Sequence, residues 1–115
     1  MIFLTIDIFG YQSIHLIMPH YFLKLIPRRP TFSQDMTADE RAIMMQHIAY
    51  WTEWMNQGKV VVFGPVADPM GVYGMGVVEA ENEEELLNFM NNDPAATINH
   101  YEHYLMLRAV LPSVK

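Results

Sequence analysis

Residues 37 to 58, TADERAIMMQHIAYWTEWMNQG, decide how the rest of the chain is read, because only here do a start signal, a period and a stop signal agree over a long segment. Thr37 with Glu40 three places on is a capping box, in which the hydroxyl and the carboxylate each satisfy a backbone amide that a first turn leaves without a partner. Gly58 offers the left-handed position just past a helix end. At about 100° per residue, Ile43, Met44, His47, Ile48, Tyr50, Trp51, Trp54 and Met55 fall in one broad stripe, with Gln46, Thr52, Glu53, Asn56 and Gln57 opposite. His47 therefore rides toward whatever the helix packs on, among two tryptophans and a tyrosine, and a buried imidazole must find a partner. On the helix alone the plainer reading is a core histidine bonded to a backbone carbonyl.

Working outward, HYFLKLI (20–26) sets Tyr21, Leu23 and Leu25 against His20, Phe22 and Lys24, as a half-buried strand does, and Pro27 ends it. PRRPTFSQDM (27–36) reads as an irregular loop into the helix, and loops of that length are often functional. Beyond the helix, KVVVFGPV (59–66), the turn ADPMG (67–71) and VYGMGVVEA (72–80) predict a hairpin. Gly74 and Gly76 share one face of its second strand and leave room for a close approach by a backbone, a helix or a ligand. Asn82 with Glu85 repeats the capping-box logic and predicts a short helix through Met90, with Leu86, Leu87 and Met90 inward. Asp93 before Pro94 reads as the cap of a one-turn helix, and YEHYLMLRAV (101–110) as the last strand.

The order β-α-β-β-α-β predicts an α+β fold: a ferredoxin-like, four-stranded antiparallel sheet with two helices on one face. The strands carry apolar residues on both sides: Phe22 and Ile26 alternate with Tyr21, Leu23 and Leu25, and Val60 to Phe63 is apolar throughout. Strands of that kind expect burial on both faces, so the sequence predicts a homodimer with two sheets face to face, burying on the order of 2,000 Å² or more.

At 115 residues, 51% hydrophobic and 17% charged, the chain is one domain with a sizeable core. The domain is expected over residues 19–112, with 1–18 an N-terminal extension. That extension fits neither a targeting peptide nor a membrane span, since Asp7 interrupts it and no positive region precedes it. It reads as residues upstream of a native start at Met18, or as an arm that adds a strand to a neighbouring edge. A net charge of −6, with only Arg28 and Arg29 adjacent, gives no basic face for nucleic acid. The absence of cysteine removes disulfides, thiolate metal sites and cysteine nucleophiles, and fits a reducing, cytoplasmic setting. No membrane partner is expected. Ten methionines suit an adaptable apolar interior or pocket lining.

HYFLKLIP, RPTFSQDMT, HIAYW, GKVVVFGPV and the dipeptide Asp93-Pro94 together resemble the YCII-related family, also called YciI-like or DGPF-type proteins, of dimeric α+β barrels. The resemblance covers about residues 19 to 110. It rests most specifically on a histidine in the first helix (His47), a Gly-Pro ending the second strand (Gly64, Pro65) and an Asp-Pro after the second helix (Asp93, Pro94). It implies that His47 and Asp93 form a dyad lining a pocket between sheet and helices, near Gly64 and Pro65. It also implies acid/base chemistry without cofactor, since one member is a dehydrochlorinase acting on a hydroxylated aromatic, and kinship with muconolactone isomerase-like barrels. The chemistry is sound in its own right: an aspartate accepting from one imidazole nitrogen fixes the tautomer and leaves the other nitrogen to move a proton.

No other credible base is found, and no HExxH, phosphate loop or GxGxxG occurs. A metal site from His47, His100 and His103 has no diagnostic spacing and is not expected. Arg29 has two open readings, a planar fork for a carboxylate or enolate oxygen of a small-molecule ligand and a loop salt bridge to Asp35 or Asp39. Trp51 is a candidate for stacking on an aromatic substrate, although large aromatics at helical spacing more often form core or interface, and the same holds for Tyr50 and Trp54. The catalytic expectation is thus His47 as base oriented by Asp93, with Arg29, Gly64, Pro65 and Trp51 around the substrate. The alternative is a non-catalytic dimeric module that holds a metabolite in the same pocket.

Overall fold

In chain order the elements are β1 (Ile2–Ile6), β2 (Gln12–Leu16), β3 (His20–Ile26), α1 (Phe32–Asp35), α2 (Ala38–Asn56), β4 (Val60–Val66), β5 (Tyr73–Glu79), α3 (Glu83–Asn91), a 3-10 turn (Pro94–Thr97) and β6 (His100–Leu105). The structure, a computed structural model, describes residues 2–6, 12–16 and 18–113, the first two stretches as backbone only. β1 and β2 pair antiparallel with each other, from Ile2 against Leu16 to Ile6 against Gln12, in a sheet of their own. The other four strands form one sheet in the order β4-β5-β3-β6, with each neighbouring pair antiparallel. β3 and β4 therefore run parallel with β5 between them, which requires a crossover, and α2 supplies it. This is the ferredoxin-like α+β arrangement that the order of sequence signals predicts, with the helices on one side.

Local chemistry places the boundaries. Thr37 Oγ1 accepts from the Glu40 amide at 3.1 Å, and Glu40 Oε1 accepts from the Thr37 amide at 2.9 Å, so both halves of the capping box form. Gly58, one residue past the C-cap, takes a φ of +80°, a conformation that favours glycine. In α3 only half of the second box forms. Asn82 Oδ1 accepts from the Glu85 amide at 2.9 Å, while the Glu85 carboxylate lies 3.6 Å from Lys59 Nζ. The inward face of α3 is Leu86, Phe89 and Met90, and Leu87 points outward, so Phe89 takes the place expected for Leu87. The expected irregular loop carries the short helix α1, which buries Phe32.

The last strand is shorter than expected. Leu105 pairs with Tyr21, and the Met106 amide donates to the His20 carbonyl at 2.9 Å. The next residue on β3's side is Pro19, which has no N–H to continue the ladder, and residues 106–113 run without regular structure.

The core lies between the helices and one sheet face. Tyr21, Leu23, Val60 and Val78 from the strands meet Trp51, Leu86, Phe89 and Met90 from the helices. Burying each such Leu or Phe contributes about 1.5–3 kcal/mol. Gly76, paired with Leu23, lies on this same face, and a Cβ there would stand 2.2 and 2.4 Å from two atoms of the Trp51 ring. The close approach that the two strand glycines allow is thus made by α2, through Trp51. The register puts Phe22, Lys24, Met75, Val77 and Tyr104 on the opposite face, away from the described helices. Tyr104 is 53% exposed there.

Candidate active site

Asp93 is 2% exposed and stands where α3 has ended and the 3-10 turn begins. Its two oxygens divide the work. Oδ1 accepts from the Ala95 amide at 2.9 Å and caps the turn that Pro94 opens. Oδ2 lies 2.7 Å from His47 Nδ1, accepts from Trp51 Nε1 at 2.9 Å and accepts from the Tyr101 hydroxyl. The cap and the dyad, alternatives in the sequence, are both formed by one carboxylate. His47 and Trp51 sit four residues apart on α2 and so project from one face of it, while Tyr101 reaches in from β6, on the side of that strand that faces the helices. Trp51 Nε1 also donates to the Tyr101 hydroxyl at 3.0 Å, which closes a triangle of side chains around Asp93.

Burial pushes the Asp93 carboxyl up. The hydrogen bond and charge of His47, then Tyr101 and the Ala95 amide, pull it down further, and the net is a carboxyl below its ordinary range. Asp93 is therefore an acceptor at neutral pH, and the hydrogen on the line to His47 belongs to Nδ1. In the neutral imidazole that tautomer leaves a lone pair on Nε2. Nε2 makes no hydrogen bond among the described residues. Burial first, and then the charge of Asp93, push the Tyr101 phenol well above its usual range, so it stays a donor.

His47 opens on a cavity of about 250 Å³ between the sheet, α2 and the loop before it. Gly64, Pro65, Trp51 and Tyr101 line the same cavity, together with Phe32 from α1. Pro65 is tolerated inside a strand because β4 is an edge of the sheet. Of the sequence-named residues, His47, Asp93, Trp51, Gly64 and Pro65 are thus brought together. Arg29 is not among the lining residues of this cavity. Its Nη1 and Nη2 fork onto the two Glu40 oxygens at 2.9 and 2.8 Å, and its Nε donates to Asp35 Oδ1 at 2.7 Å. The salt-bridge reading describes these contacts, with Glu40 in the place considered for Asp39. Tyr50 and Trp54 pack on Phe89, at ring-centre distances of 5.2 and 4.1 Å, and are half-buried against the core.

Tyr101 is the site residue that the sequence reading missed. The available signal was alternation: Tyr101 pairs with Leu25 and His103 with Leu23, so β6 turns these positions toward the buried face. His103 then lies 3.3 Å from Glu83, and His100, one residue before Tyr101, falls on the other side of the strand, so His47, His100 and His103 do not converge. Among the described residues no group of three or more His, Cys, Asp or Glu is placed to hold a metal, and no helix is long and apolar enough to cross a membrane.

No curated protein gives a significant match to the chain. A family model described as a YCII-related domain matches residues 21–109, which begins within β3 and takes in α2, the hairpin, α3, the 3-10 turn and β6. On that match the chain belongs to the YCII-related domain family.

Proposed function

We propose that this protein is a small-molecule enzyme that uses His47 as general base, oriented by Asp93, with no cofactor. The reaction is a proton abstraction that leads to elimination or isomerisation, of lyase, dehydrochlorinase or isomerase type, on an aromatic or lactone-like molecule. The observation that carries this reading is the asymmetry of His47: Nδ1 is fixed on a buried carboxylate while Nε2, beside a cavity, makes no hydrogen bond among the described residues. Taking a proton on Nε2 creates an imidazolium 2.7 Å from Asp93, whose charge offsets it without moving. Trp51 and Tyr101 hold Asp93 from the other side, so the base does not depend on solvent for its orientation. Gly64, Pro65 and Trp51 shape the wall against which the substrate lies, and Arg29 acts at a distance, by tying the loop before α2 to Glu40. The working form is a cytoplasmic homodimer in which the sheet faces opposite the described helices meet, a reading supported by the apolar Phe22, Val77 and Tyr104 on that face.

The test is turnover of hydroxylated and chlorinated aromatics and of small lactones by the native protein and by His47→Ala, with circular dichroism to confirm that both fold. General base catalysis predicts a loss of about 100- to 10,000-fold in kcat. Equal turnover by the two proteins would remove the enzyme reading and leave a dimeric module that only binds a metabolite.

A further inference from the structure

We infer that the cavity takes an uncharged ligand of about the size of a substituted monocycle and discriminates against carboxylates and phosphates. The inference rests on the proposed site and names the class of molecule that enters it.

The cavity's lining among the described residues includes no Lys, Arg, Asp or Glu. Its polar members are Ser33, His47, Trp51, Tyr73, Asn99 and Tyr101, and the Trp51 N–H is already given to Asp93 and Tyr101. An anion brought here leaves water with no fixed positive charge to replace its hydration, which is costly in an apolar setting. The two arginines of the neighbouring loop are engaged elsewhere. Arg29 is forked onto Glu40 and bonded to Asp35, and Arg28 Nε donates to the Ile98 carbonyl at 3.2 Å. Asp93, bonded to His47 at the floor, is ionised, and its sign opposes an anion. An uncharged molecule meets none of these costs and gains contact with Phe32, Met36, Met44, Ile48 and Phe63. An apolar cavity of about 150 Å³ takes benzene, so the roughly 250 Å³ here suits a ring with one or two substituents.

The charge pattern also bears on the chemistry. When His47 removes a proton, the ligand becomes an anion whose only cationic partner in the lining is the new imidazolium. A ligand that expels its charge at once with a leaving group, or regains the proton at another atom, suits that arrangement. One that must persist as an anion does not.

Matched probes isolate charge from shape. Benzamide and benzoate differ little in outline, and phenol and γ-butyrolactone extend the neutral set. Titrations of the full chain near neutral pH, followed by NMR or calorimetry, are expected to show benzamide binding at least about tenfold more tightly than benzoate. Ile48 lines the cavity from α2 and is 50% exposed, so Ile48→Lys adds a cation at the rim without burying it and is expected to narrow that gap. Benzoate binding as tightly as benzamide to the native protein overturns the inference, as does a gap that Ile48→Lys leaves unchanged, or a panel in which no neutral probe binds. These readouts are of binding alone, so the charge preference can fail while His47-dependent turnover stands, and the reverse.

Discussion

Two carboxylates brace α2, and they have been given opposite kinds of partner. Glu40, in the first turn, accepts from the Thr37 amide and from both terminal nitrogens of Arg29. Asp93, packed against the middle of the helix, accepts from an imidazole, an indole, a phenol and one backbone amide. A guanidinium carries no lone pair and keeps its charge at any physiological pH, so the Arg29–Glu40 fork is a link with nothing further to exchange. An imidazole has a second nitrogen. The Asp93 cluster therefore holds a group that can still react, and that group is the one set against the cavity. A buried or half-buried ion pair is by itself no mark of a site; what counts here is an atom beside a cavity with no hydrogen bond among the described residues.

The comparison is broken most severely at Asp93. Asp93→Ala leaves His47 Nδ1, Trp51 Nε1, the Tyr101 hydroxyl and the Ala95 amide without their acceptor, all at a position only 2% exposed. The expected loss is about 3–5 kcal/mol in denaturant unfolding. Asp93→Asn keeps the shape and part of the acceptor capacity, so it should lose less stability yet still lose turnover, because an amide does not offset the imidazolium. An Asp93→Ala protein within about 1 kcal/mol of the native one would show that the cluster is not held as described.

A smaller effect is expected from the other side of the cluster. In Gly76→Ala the new methyl would stand 2.2 Å from the Trp51 ring, which can yield only by giving up its bonds to Asp93 and Tyr101. Overpacking of this kind costs about 1–3 kcal/mol, and it should displace the indole from Asp93 as well. Tryptophan fluorescence and the indole N–H resonance report the second effect separately from the first. A variant with native stability and an unshifted indole signal would mean that Trp51 is not locked between Gly76 and Asp93.

The frame was legible because its signals are local. β3 begins and ends where its alternation says, and the Thr37–Glu40 box sits where its spacing says. What escaped the sequence is instructive about carboxylates. Spacing offers Asp93 as a cap or as a dyad partner and gives Glu40 to Thr37 alone, although each carboxylate has two oxygens and can accept several bonds. Both in fact do two things at once, and the second task of Glu40 is what takes up Arg29. Tyr101 escaped for another reason: its approach to Asp93 needs the β6 register, fixed by pairing with β3 some 75 residues earlier in the chain. In α3 the spacing of Leu86, Phe89 and Met90 puts all three on one face, and Leu87, expected inward, falls off it.

The mildest perturbation, acid, separates the two carboxylates without a change to the fold's core. The hydrogen bond from Arg29, then that of the Thr37 amide, lower the Glu40 carboxyl from about 4.5 to about 2. A carboxyl depressed in the folded state contributes stability that is fully present above its unfolded value and is lost as pH falls through the folded one. The window for Glu40 is thus from about pH 4.5 down to about pH 2. Arg29→Met removes the principal cause of the shift while Asp93, which does not touch Arg29, keeps its own. The native protein should therefore be more stable than Arg29→Met at neutral pH, with the difference shrinking steadily as pH falls through that window. Added salt should also reduce it, because Arg29 is partly exposed. The measurement is the urea midpoint of both proteins at a series of pH values. A difference that stays constant to pH 2 would show that Arg29 acts through packing, and would undo the contrast between a charged link at the end of α2 and a reactive pair at its middle.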